Sequence, residues 1–163
     1  LKQFPQRRSP RLAGYDYAQQ GAYFVTICTQ NRVCLFGTIA DGIVHPNPAY
    51  HMIEMWWHEI TNKFPTVELD EWVVMPNHFH GIIVLTETSI PLSRMIQWFK
   101  VMSTNAYMNG VKTEGWTGFT GKLWQRSYHE HIIRDENSLN HIREYVRNNP
   151  VLWTADTFHS VQA

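Results

Sequence analysis

Residues 67–85 read Val67-Glu68-Leu69-Asp70-Glu71-Trp72-Val73-Val74-Met75-Pro76-Asn77-His78-Phe79-His80-Gly81-Ile82-Ile83-Val84-Leu85. Two runs rich in β-branched residues, Val67 to Met75 and Gly81 to Leu85, flank Pro76-Asn77 and predict two strands. The second is almost continuously apolar after His80, as expected of a strand central in its sheet. Side chains alternate across a strand. His78 and His80 therefore project from one face, about 7 Å apart at the backbone, while Phe79 points into the core. Two imidazoles at that spacing can converge on one cation. A histidine pair on a sheet face can equally be polar surface, and the local pattern does not choose between the two.

Working outward, Tyr23 to Thr29 predicts a strand bounded by Gly21 and Asn31-Arg32. A hairpin follows, Leu35 to Ile39 and Ile43 to His45, turning at Asp41-Gly42. Asn47-Pro48 reads as an N-cap with proline at the first helical position. The helix it opens runs to about Lys63, with Met52, Ile53, Trp56 and Ile60 on its apolar side, and Pro65 closes it. Pro91 to about Met108 returns to helical spacing, with Leu92, Met95, Ile96, Phe99 and Met102 on one face and Arg94 and Lys100 off it. Gly110 to Gly121 reads as a loop and Leu123 to Ile133 as a last strand. Asp135 caps a last helix that stops at Asn148-Asn149-Pro150. The order βββ-α-ββ-α-β-α has no regular βαβ repeat. It predicts an α+β fold, an antiparallel sheet with helices on one face.

At 163 residues and 44% hydrophobic, the chain has the length and the apolar content of one domain. No apolar run reaches eighteen residues, and Lys2, Arg7, Arg8 and Arg11 precede no apolar segment, so neither a membrane span nor a secretory signal is expected. A soluble cytoplasmic protein is the expectation. Cys28 and Cys34, without a second pair, suit reduced thiols rather than a thiolate metal site. The formal charge of zero argues against coating nucleic acid by bulk electrostatics, so any such partner must be held by a local patch. Residues 1–12 form a basic arm with no acid, whereas Glu54, Glu59, Glu68, Asp70 and Glu71 face Lys63 alone. Charge by itself leaves that arm either phosphate-seeking or simply solvated.

A second pair, His129-Glu130-His131, lies on the predicted last strand. If the two strands are neighbours, His78, His80, His129 and His131 could build a zinc site; otherwise His131 sits near the first pair and His129 at the edge. On the last helix, with Leu139, Ile142 and Val146 as its buried stripe, Tyr145 and Asn149 lie four apart at the stripe's flank. A phenol and an amide oxygen can thus face one site. Read singly, Tyr145 also suits an amphipathic cover for the core edge, and Asn149 a helix end ahead of Pro150. Tyr128, beside His129, is a competing phenol.

Met75-Pro76-Asn77-His78-Phe79-His80, Trp124-Gln125, His131-Ile132-Ile133-Arg134-Asp135 and Tyr145-Val146-Arg147-Asn148-Asn149-Pro150, in this order, resemble the REP-associated tyrosine transposases, relatives of the insertion-sequence-200-like transposases. Arg11 to Thr29 is similar to the N-terminal region of many of them. The resemblance implies a ferredoxin-like HUH domain in which His78 and His80 ligate a divalent cation. It makes Tyr145, rather than Tyr128, the nucleophile on single-stranded DNA, leaving a 5′-phosphotyrosine and a free 3′-OH. Asn149 falls where these enzymes place a third ligand, often glutamine, and His131 and His129 stand as supporting or alternative ligands. The implied cation is Mg2+ or Mn2+, whereas histidine-rich coordination alone favours Zn2+.

The implied partner is single-stranded or hairpin DNA at the nucleoid, bound by a monomer or a homodimer. Arg7, Arg8, Arg11, Arg94, Lys100, Arg126, Arg134 and Arg147 are candidate phosphate contacts, and Trp98 or Trp116 candidate stacking platforms. Two other functions fit the same residues: a zinc metalloenzyme using all four histidines, and a DNA-binding module of the same fold that does not cleave.

Overall fold

The computed structural model describes residues 20–88 and 90–155. The basic arm, with Arg7, Arg8 and Arg11, lies outside the described residues. Strand β1 (Gly21–Cys28) leads to the hairpin β2 (Thr38–Ala40) and β3 (Ile43–His45), helix α1 (Pro48–Lys63), strands β4 (Val67–Met75) and β5 (His78–Leu85), helix α2 (Leu92–Glu114), strand β6 (His129–Ile133) and helix α3 (Glu136–Asn148). The main sheet has the order β4-β5-β1-β6, antiparallel at every pairing. In β1-α1-β4 and β5-α2-β6 a helix joins strands that are not neighbours, the split βαβ arrangement of ferredoxin-like sheets. The α+β class and the antiparallel sheet are as the element order predicts.

The two faces of the sheet differ in kind. Phe79 packs on Trp57 of α1 and Phe99 of α2, with ring centroids 4.5 and 5.7 Å apart, so α1 and α2 share that face. Gly81 lies on it too, and a Cβ there would come within 2.4 Å of the Trp57 ring, so glycine is what lets α1 seat. Helix α3 lies across the opposite face, where Tyr145 meets Phe24 and His80. Two helices thus cover one face, and the third takes the face that carries the histidines.

Asn47 caps α1 through its side chain, which accepts the Tyr50 N–H at 2.9 Å, with Pro48 at the first turn. Its buried residues are Ala49, Met52, Ile53, Trp57 and Ile60. Trp57 rather than Trp56 fills the core; Trp56 lies at the flank against Trp98. Helix α2 continues to Glu114, past the expected end near Met108, and closes on Gly115 in the left-handed conformation (φ 72). The Trp116 ring presses on Gly110, where a Cβ would come within 2.3 Å, and this contact offsets glycine's poor helical propensity. Among the described residues no helix is long and apolar enough to cross a membrane.

The hairpin is shorter than expected. Leu35 and Phe36 are buried and both donate their N–H to the Pro76 carbonyl, so the strand begins only at Thr38. Asp41 and Gly42 both take positive φ, 52 and 72, as a two-residue turn of this hand requires. The last strand is likewise split. Trp124 bridges to Thr29 and the Gln125 N–H donates to the Cys28 carbonyl, but regular pairing resumes only at His129. Between them the Gln125 and Arg126 carbonyls accept from Lys100 Nζ at 2.7 and 3.1 Å, which turns the chain away from β1.

Candidate active site

Register explains how the histidine pair is built. Cys28 lies opposite His78 and Thr26 opposite His80 on β1, so Phe24, Thr26 and Cys28 share the histidines' face. His78 and His80 are both buried, their ring centroids 4.6 Å apart. The His78 ring donates from Nδ1 to Asn77 Oδ1 at 2.8 Å, and the Asn77 amide in turn donates to the Arg32 carbonyl. His80 Nδ1 shares a 2.7 Å hydrogen bond with the Thr26 hydroxyl. With Nδ1 used in both rings, Nε2 is the atom each can offer a cation, the arrangement by which outer partners orient ligating histidines. Burial, and then the neighbouring His78, hold the His80 pKa well below the ordinary histidine value, so its imidazole is neutral.

Helix α3 brings the phenol. Asp135 caps it by accepting the Ser138 N–H at 2.8 Å. Tyr145 is 40% exposed, with its ring 5.4 Å from His80 and edge-on to Phe24 at 6.1 Å. One turn on, Asn149 is only 1% exposed, and its Oδ1 is buried without a hydrogen-bond partner among the described residues. A buried amide oxygen left in that state costs stability unless something fills its place, and a cation would do so. Two imidazole nitrogens and this oxygen form a donor set that fits a divalent ion.

The helix is fastened to β4 by ion pairs. Arg143 grips Asp70 with two hydrogen bonds, Nε to Oδ1 at 2.8 Å and Nη2 to Oδ2 at 2.5 Å. Arg147 pairs with Glu71 at 2.6 Å. Asp70 and Glu71 stand where the β4–β5 register shifts between Leu69 and Trp72, a bulge that presents adjacent carboxylates to one helix.

His129 and His131 are exposed and sit across β1 from the pair. Thr26 stands between His129 and His80, and Phe24, stacked on His80 at 5.3 Å, stands between His131 and the site. Two strand spacings of about 4.8 Å separate them from β5. Among the described residues no three His, Cys, Asp or Glu side chains cluster to hold a metal, so the four-histidine zinc cage is not formed. Tyr128 is buried beside α2, with Lys100 Nζ 6.0 Å from its ring centroid.

Of the candidate phosphate contacts, Arg94, Arg126 and Arg134 are exposed, Arg147 is held by Glu71, and two of the Lys100 ammonium hydrogens go to carbonyls. Burial, with Lys122 nearby, lowers the Lys100 pKa to about 8. Trp98 and Trp116 are both partly buried against the core. Sequence reasoning missed Phe24, Thr26, Asn77 and Trp153, whose ring stacks on His78 at 6.1 Å. Asn77 adjoins the quoted histidine pair and Thr26 alternates with Phe24, but only strand register shows which face they share.

Residues 18–149 match the family described as Transposase IS200 like. The chain is 38% identical to an uncharacterized protein of Haemophilus influenzae, over 94% of this chain and 93% of that one. It is 26% identical to the REP-associated tyrosine transposase of Escherichia coli, over 88% and 79% of the two chains. The fold is similar to that of a REP-associated tyrosine transposase solved bound to a REP hairpin, with a TM-score of 0.64 and 25% identity over 86% of this chain and 72% of that one. The family match extends through the helix that carries Tyr145, and the chain therefore belongs to the IS200-like transposase family.

Proposed function

We propose that this transposase cuts and rejoins single-stranded DNA with Tyr145 as its nucleophile, and that His78, His80 and Asn149 hold Mg2+ or Mn2+. The observation that carries this is the meeting of two elements on one face: the Tyr145 ring lies against His80, one helical turn from the unpartnered Asn149 oxygen.

A phenol near its ordinary pKa of about 10 is a weak nucleophile at neutral pH, and a phosphodiester repels anions. A divalent ion, when bound, supplies charge withdrawal from the non-bridging oxygens and fixes the phosphate for in-line displacement. Asn77 and Thr26 keep the two rings in place, and Phe24 supports both His80 and the Tyr145 ring. Tyr145 Oη forms a bond to phosphorus as the bond to the 3′ oxygen breaks, so the phenolic proton is balanced by the one the 3′-OH acquires. The resulting 5′-phosphotyrosine conserves the bond energy, and a second 3′-OH can reverse the step on a new end without ATP. Water as nucleophile would not conserve it.

A relative was solved with a REP hairpin, and this supports hairpin-bearing DNA as the substrate, met at the nucleoid in the cytoplasm. Arg94, Arg126 and Arg134 are the exposed cations proposed to meet phosphates. The test is incubation of the protein with labelled hairpin and single-stranded oligonucleotides, with and without Mg2+ or Mn2+, followed by denaturing electrophoresis. A metal-dependent covalent adduct that maps to Tyr145 is expected. Cleavage without any adduct overturns the mechanism.

A further inference from the structure

The three donors on the histidine face carry no charge of their own. An imidazole ligates as the neutral ring, and the third donor, Asn149 Oδ1, belongs to an amide. Among the described residues no Asp, Glu or Cys joins His78 and His80 in a cluster that could hold a metal. The acids on neighbouring elements are engaged elsewhere. Asp70 and Glu71 of β4 pair with Arg143 and Arg147 of α3. Glu130 of β6 is the register partner of the buried Val25, which puts it on the core face of the sheet.

Burial makes this neutrality costly for a cation held alone. His78, His80 and Asn149 are each at most 1% exposed. A divalent ion among them would give up water and meet no anion in return. Carboxylates are what ordinarily tighten such sites, since affinity for hard cations rises with the number of charged ligands. Asn149 is the residue that withholds this charge, because aspartate would have nearly the same shape and one negative charge more. The anion must then come from outside the chain, and the phosphodiester presented to Tyr145 is one. Neutral donors also leave the charge of the ion undivided for the non-bridging oxygens of that phosphate.

We propose that Asn149 makes metal binding and phosphate binding interdependent: the site holds Mn2+ or Mg2+ weakly by itself and tightly only together with a DNA phosphodiester. The proposal rests on the metal-donor reading given above. Linkage then requires the ion to tighten DNA by the same factor as DNA tightens the ion.

The test uses the full chain carrying Tyr145→Phe, which lacks the attacking oxygen, and a DNA hairpin with unpaired flanks. Free Mn2+ is followed by electron paramagnetic resonance during titration, with and without saturating hairpin. Hairpin affinity is measured by fluorescence anisotropy, with and without Mn2+. A chain that also carries His78→Ala and His80→Ala corrects for Mn2+ taken up by the DNA itself. Each ligand is expected to tighten the other by about tenfold or more. Adding Asn149→Asp should tighten Mn2+ binding without DNA by about tenfold or more and shrink the coupling several-fold. Without Mn2+ this variant should melt at a lower temperature, because its new carboxylate is buried beside no cation, and Mn2+ should restore it.

Equal Mn2+ affinity with and without hairpin overturns the proposal, whether or not the aspartate variant folds. A folded Asn149→Asp chain whose Mn2+ affinity without DNA is unchanged or lower also overturns it, as does coupling of full size in the chain without the two histidines. Absence of any Mn2+ binding, even with hairpin bound, sinks the donor assignment itself, whereas equally tight binding in both states sinks the interdependence alone.

Discussion

Each side chain at the site contributes through one or two atoms, so single substitutions separate their roles. Tyr145→Phe removes the attacking oxygen from an exposed side chain and keeps its ring against Phe24 and His80. Melting temperature and DNA affinity should be unaltered while adduct formation disappears. An adduct that survives in Tyr145→Phe and is lost in Tyr128→Phe would reassign the nucleophile, although Tyr128 is buried beside α2. His78→Ala and His80→Ala should each abolish measurable Mn2+ binding in calorimetry. Asn149→Ala should weaken it by about tenfold, since water can replace an amide oxygen as a ligand. Thr26→Val, which removes the hydroxyl beside His80 Nδ1, should weaken Mn2+ binding by about 10-fold to 100-fold without touching the ion.

At the scale of elements, α3 is held to β4 by Arg143–Asp70 and Arg147–Glu71. The first pair is bidentate and partly buried, worth about 1 kcal/mol, while the more exposed second is worth less. Asp70→Asn should therefore raise amide exchange in α3 several-fold, leave β1 and β5 protected, and lower the rate of adduct formation by loosening Tyr145. The Arg143 guanidinium holds the Asp70 carboxyl below its ordinary range. A depressed carboxyl pKa stabilises the folded form above the unfolded value of about 3.9, and that contribution is lost as pH falls through the folded value. The protection this pair gives α3 should thus be complete and independent of pH between pH 7 and about 5, and should fall away below about pH 4, so that α3 opens more often there. If Asp70→Asn shows the same acid response, another carboxylate is responsible.

At the scale of the molecule, the sheet divides stability from chemistry: Trp57, Phe79 and Phe99 pack on one face, and His78, His80 and Tyr145 meet on the other. Trp57→Ala should cost about 3–5 kcal/mol and lower the melting temperature by on the order of 10 °C, while adducts still form at low temperature. His80→Ala should do the reverse, abolishing adducts with a smaller thermal shift.

The sequence by itself determined the strand pair around Pro76-Asn77, the caps at Asn47 and Asp135, and the shared face of His78 and His80, because alternation and capping are local properties of a few neighbouring residues. The motifs in order also pointed to the transposase family. Tertiary structure decided the rest: that Trp57 fills the core and not Trp56, that α2 runs past Gly110, and that α3 lies on the histidine face. It also decided that His129 and His131 stand apart from the pair, since Thr26 and Phe24 intervene only once β1 is inserted between β5 and β6. Helical periodicity cannot rank two adjacent tryptophans, and an H-x-H pattern carries no information about which strand lies beside it. Those outcomes depend on register and on contacts between residues far apart in the chain, which no local pattern encodes.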